Sequence, residues 1–224
     1  MTHQNKYKIR KGTFLSFLLI FLFLIFSANA ADKFWVASGS GDKIWYDNNN
    51  WSDTDGGPPG HTPPSGGDRA FFTSNGVLDA KITTDVTVKK IILKNGYTGT
   101  VRIESGRFTS SRGVNHQDGT ILVSGTGFFK VAGGAYTLAD GATLTFEGLN
   151  SKFKVDHNFK MYNGSTFTAP SEGSSRFILK GGFNIHGGTF NHNNGTLFMS
   201  PKWSGAVGAA INIVGGPGPG KNLY

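Results

Sequence analysis

A short phrase, glycine followed by a small residue and then one or two apolar ones, returns along this chain at nearly constant intervals. It stands at Gly99-Thr100-Val101, Gly119-Thr120-Ile121-Leu122, Gly141-Ala142-Thr143-Leu144, Gly164-Ser165-Thr166-Phe167 and Gly188-Thr189-Phe190, in steps of 20, 22, 23 and 24 residues. Such an interval marks a repeat architecture, in which each unit cannot bury its own apolar face and must stack on its neighbours. Between the phrases, apolar and polar residues alternate. Val101 and Ile103 flank Arg102, Leu144 and Phe146 flank Thr145, Phe153 and Val155 flank Lys154, and Phe183 and Ile185 flank Asn184. A period of two sends one side of each strand to a core and the other to water.

The corners between these runs are rich in glycine and asparagine, as at Asn95-Gly96, Gly133-Gly134, Asn163-Gly164 and Gly181-Gly182. Both residues enter positive φ at low cost, which sharp corners require. The expected fold is all-β, a right-handed parallel β-helix (β-solenoid) of about five or six coils across residues 76–203, capped by a Trp-rich N-terminal segment. An antiparallel β-sandwich or barrel is the alternative, because Asn-Gly also closes two-residue hairpins.

Residues 1–30 read as a secretory signal peptide. Lys6, Lys8, Arg10 and Lys11 form a basic head, a 13-residue uncharged apolar run spans 14–26, and Ala28-Asn29-Ala30 supplies a small-residue cleavage site before Ala31. The run falls short of the ~20 residues a spanning helix needs. Cleavage would leave 18 basic residues (22 minus 4) against 14 acidic ones, a net charge of +4 in place of +8. The Lys and Arg are scattered singly along the sequence, which argues against a nucleic-acid partner. There is no cysteine, so neither disulfides nor thiolate metal sites are available and a continuous core must hold the domain.

Residues 31–75 differ in composition from the repeats that begin at residue 76. Trp35, Trp45 and Trp51 sit among Gly, Asn, Asp and Pro, and a Pro-Gly loop runs over 56–67. Residues 204–224 form an apolar edge and then a Gly/Pro tail. The opening Phe34-Trp35-Val36-Ala37-Ser38-Gly39-Ser40-Gly41, then Trp45, Asn50-Trp51-Ser52 and Gly67-Asp68-Arg69-Ala70-Phe71-Phe72 resemble the start of bacterial surface proteins built from autotransporter-associated or adhesin-like β-strand repeats. Gly96-Tyr97-Thr98-Gly99-Thr100-Val101 and Gly182-Phe183-Asn184-Ile185-His186-Gly187-Gly188-Thr189-Phe190-Asn191 resemble phrases recurring in that family, of which this chain would be a short or incomplete member. The resemblance implies a surface setting more than an activity.

Trp35, Trp45 and Trp51 are candidate glycan-stacking residues, with a plug for the first coil as the competing role. Asp47, Asp53 and Asp55 form an oxygen-rich stretch that suggests Ca²⁺, although the spacing excludes an EF-hand; no other cofactor is expected. His61, His116, His157, His186 and His192 are expected at solvent-facing positions. Glu104, Asp118, Asp140, Glu147 and Asp156 occur singly, so no paired carboxylates point to catalysis. The expected function is an exported, secreted or cell-surface structural or adhesin-like module without catalytic activity. The alternative is a secreted polysaccharide-binding or polysaccharide-cleaving β-helix. Expected partners are surface glycans or further solenoid repeats, with no membrane contact after signal cleavage. Residues 197–214 carry a single charge, Lys202, and are expected to drive self-association.

Overall fold

A computed structural model of the 224-residue chain describes residues 30–171, 177–200 and 211–213. The signal-like segment up to residue 29 and most of 204–224 therefore lie outside the described residues. The described chain is a β-solenoid built from three sheets of nine, seven and six strands. Each turn lays one strand on each sheet, and the six strands of the smallest sheet mark about five turns from first to last. Among the described residues every strand pair is parallel except one, so the sandwich and barrel alternatives do not apply.

The registers show how the repeat works. On the first sheet Ile91, Val114, Tyr136, Phe159 and Phe183 stand one above another. On the second the column is Ala80, Val101, Ile121, Leu144, Phe167 and Phe190. On the third it is Val86, Phe108, Phe129, Phe153, Phe177 and Leu197. These columns point inward and merge into one core, with Phe108, Phe129, Phe153 and Phe159 all at most 1% exposed. Ring centroids along the third column lie 5.5, 5.7 and 5.0 Å apart, within the range where aromatic pairs attract beyond their buried area. The outward positions alternate with them. Thr100, Thr120, Thr143, Thr166 and Thr189 form one such column on the second sheet, a cross-strand arrangement suited to β-branched side chains.

Corners absorb the differences in step length. Gly106 has φ +72° and a Cβ there would lie 2.5 Å from the backbone of Thr84, so the turn needs glycine both for conformation and for space. Among the described residues no helix is long and apolar enough to cross a membrane.

Candidate functional site

Two parts of the described molecule bear on function: the N-terminal end of the stack, and a corner between the third and first sheets. At the N-terminal end, Asp32–Trp35 forms the first parallel rung against Arg69–Phe72, so the nine-stranded sheet runs through the Trp-rich segment. The outer edge of that rung is covered by Trp51–Ser52, which pairs antiparallel with it. A two-residue antiparallel strand leaves little edge for another chain to extend.

Trp35, Trp45 and Trp51 are 0%, 1% and 0% exposed. Trp45 meets Trp51 edge-on at 4.8 Å, Trp35 meets Trp51 at 5.1 Å, and Trp45 meets Phe108 at 5.5 Å. The indole N–H of Trp51 donates to the Trp45 carbonyl at 2.7 Å and that of Trp35 to the Leu78 carbonyl at 2.9 Å. With faces packed and N–H groups engaged, these rings offer no platform to a sugar; the geometry is that of a plug over the first coil.

The three aspartates of the oxygen-rich stretch do separate work. Asp47 accepts from the Asn49 amide at 2.9 Å and caps the 3₁₀ turn Asn48–Asn50. Asp53 receives the Lys33 ammonium at 2.5 Å and His61 at 2.7 Å, and its Lys33 hydrogen bond holds the carboxyl below the usual carboxylate range despite some desolvation. Asp55 accepts from Thr73 at 2.6 Å and Asn75 at 3.2 Å. Each carboxylate is thus engaged by its own partners, and among the described residues no group of three or more metal-ligating side chains occurs.

His116 corrects the expectation of solvent-facing histidines. It is fully buried, in an inward column between Leu93 and Leu138. A carbonyl can only accept, so Nε2–H donates to Gly119 at 3.2 Å, and Nδ1 accepts from the Tyr136 hydroxyl at 2.9 Å. Burial pushes the imidazole pKa down to about 4, against smaller opposing contributions from Gly119 and Asp118. Burial likewise pushes the Tyr136 hydroxyl pKa well up. The signal is present in the sequence: His116 is in phase with Val114. Of the others, His61 pairs with Asp53, His186 stacks on Tyr162 at 4.9 Å, and His192 is exposed.

The singly occurring acids are also placed apart. Glu104 pairs with Lys81 at 2.7 Å. Asp118 accepts from the amides of Gly96 and Gly119, both at 2.9 Å. Asp156 lies 3.4 Å from Lys180 and 3.6 Å from Lys154. Asp140 sits in the left-handed region with φ 53°, and Glu147 is exposed.

The corner between the third and first sheets departs from the expected scatter of basic residues. Arg69 and Lys90 are register partners on adjacent strands, and the Arg112 amide donates to the Lys89 carbonyl at 2.7 Å. With Ala30 these four residues line an open concavity of about 620 Å³. The steps from 69 to 90 and from 90 to 112 are 21 and 22 residues, the coil repeat itself, which is the signal that could have revealed the cluster. The Asp32 carboxylate grips Arg69 with two contacts, at 2.6 and 2.8 Å. Asp68 is held by Ser65 at 2.9 and 2.8 Å and by the Ala31 amide at 3.0 Å. Desolvation opposes ionisation of Asp68, but these hydrogen bonds outweigh it and lower its pKa. Among the described residues no carboxylate lies within ion-pair distance of Lys89, Lys90 or Arg112. No family profile, curated protein or solved structure matches the chain.

Proposed function

We propose that this protein is an exported, non-catalytic structural or adhesin-like module acting at the cell surface or outside the cell. The observation that supports this reading is the disposition of its polar side chains. Acids and amides near the corners are engaged in bonding one coil to the next, as when Asp79 accepts from the Thr100 amide at 2.7 Å, Asp85 from the Arg107 amide at 2.8 Å and Asn158 from the Gly182 amide at 2.8 Å. Groups committed in this way hold the scaffold and are not free for proton transfer. The basic head, apolar run and Ala28-Asn29-Ala30 support export.

Fractionation of expressing cells, with mass spectrometry of the released chain, tests the reading. The expected result is a surface or extracellular chain beginning at Ala31; a cytoplasmic chain retaining Met1 or Thr2 overturns it. Incubation with acidic and neutral polysaccharides should yield no new reducing or unsaturated ends, and cleavage would replace this reading with the enzymatic one.

A further inference from the structure

The cationic corner gives the surface module a ligand class. We propose that the concavity lined by Arg69, Lys89, Lys90 and Arg112 binds an acidic polysaccharide whose anionic groups repeat along an extended chain. The inference rests on the reading of the protein as an extracellular module.

Three features of the corner carry it. First, the charge there is not internally neutralised. Asp32 accounts for Arg69 and Asp68 is turned toward Ser65 and Ala31, which leaves the Lys89, Lys90 and Arg112 side chains together without a described counter-charge. Clustering three cations costs self-repulsion that no ion pair among the described residues offsets, and the resulting field attracts an anion.

Second, the cations are arranged as a ladder. Arg69, the Lys89-Lys90 pair and Arg112 belong to three successive coils, and successive strands stand about 4.8 Å apart. With Arg69 held by Asp32, the unpaired cations are the Lys89-Lys90 pair on one coil and Arg112 on the next, so an extended chain laid parallel to the solenoid axis can set successive anionic groups against both. On the next coil the corner is Gly133-Gly134, where an added Cβ would meet the backbone of Ser111 at 2.2 Å and of Arg112 at 2.5 Å. The ladder therefore ends on a step that bears no side chain.

Third, the lining contains no aromatic residue. Single-stranded nucleic acid is held by base stacking together with phosphate contacts, and this corner offers only the second. Phe71 lies nearby, but it is 7% exposed, with Arg69 at 5.5 Å and Lys94 at 5.2 Å from its ring centroid.

The test is equilibrium binding of the protein in the form that the cell releases, expected to begin at Ala31, to polygalacturonate, dextran sulfate, neutral dextran and single-stranded DNA. Polygalacturonate and dextran sulfate separate carboxylate from sulfate as the favoured anion. Binding to at least one of them, absent for neutral dextran and weakened as salt shortens the reach of the charges, supports the proposal. Lys90→Glu with Arg112→Glu should weaken that binding about tenfold or more, while Lys130→Glu with Lys152→Glu, an equal charge change on the third sheet, should leave it nearly unchanged. The neutral pair Lys90→Gln with Arg112→Gln serves if the glutamate pair fails to fold, and should show a smaller loss in the same direction. Equal losses from both sites, no binding to either acidic polymer, or tighter binding to DNA would overturn the proposal. An exported chain that binds neither polymer removes this inference alone, whereas a chain that binds but stays inside the cell removes the assigned location.

Discussion

At the first coil Trp35, Trp45 and Trp51 are sealed from water, whereas at the far end of the described stack Phe190, Leu197 and Met199 are only partly buried against the core. Their register partners one coil earlier, Phe167, Phe177 and Leu179, are at most 1% exposed. The inward positions are the same; the cover differs. At the N-terminal end the chain supplies its own lid, with Trp51–Ser52 crossing the edge of the first rung and the Lys33–Asp53–His61 contacts tying down the adjoining loop. In a stack where each coil touches only its neighbours, stability is a sum of interface terms, and an interface sealed by aromatic rings counts for more than one whose described side chains are only partly buried.

That contrast sets the largest expected effect. Trp51→Ala should destabilise the protein by an amount near the upper end of ~3–5 kcal/mol, read by chemical denaturation, while Phe190→Ala should cost about 1 kcal/mol. Equal costs at the two ends would break the comparison. Next comes the interior. Phe146 is 1% exposed and Phe146→Ala should cost ~3–5 kcal/mol, against less than about 0.5 for the outward Thr145→Ala. Small effects at both positions would contradict the register.

Acid should attack the stack from its middle. The folded His116 pKa of about 4 lies below its unfolded value of about 6.5, so between these limits the unfolded chain binds the extra proton. Stability from the neutral imidazole is complete above about pH 6.5 and falls by about 3 kcal/mol as pH drops toward 4. His116→Leu, matching its column neighbours Leu93 and Leu138, should remove that part of the pH dependence even if it lowers stability at neutral pH by leaving the Tyr136 hydroxyl unpaired. An unchanged acid profile would mean another group sets it.

The smallest effect concerns association. Phe198 is 56% exposed on an outward position beside Ile178, within the 197–214 segment expected to self-associate; residues 201–210 and 214 of that segment lie outside the described residues. Phe198→Lys should shift the sedimentation profile of the protein toward monomer. A wild-type chain that stays monomeric at high concentration would mean this surface is not sticky.

The solenoid is legible in the sequence because its signals are local. Gly119-Thr120-Ile121 announces a corner and the strand after it, and the alternation through Phe153 and Val155 fixes which face is buried. The plug is legible as composition, but whether the three indoles face water or each other depends on the antiparallel crossing of Trp51–Ser52, which no periodicity reports. The basic corner is hidden for a different reason. Arg69, the Lys89-Lys90 pair and Arg112 lie far apart in sequence, and only stacking with a step of 21 or 22 residues brings them together. His116 escapes any reading by residue type, which assigns an imidazole to polar surface, although its phase with Val114 places it inside.

The corner glycines carry a consequence for how such a chain can change length. Coil steps differ by several residues, yet the strand registers stay in phase, because the extra residues are taken up where Gly106 or Gly134 turns the backbone. One residue gained inside a strand such as Thr143–Phe146 would turn its whole inner row outward. The same residue gained at a corner would only lengthen a loop. Duplication of an entire coil would preserve every register while lengthening the outer columns by one position, so a lineage could change the reach of its surface without redesigning its core.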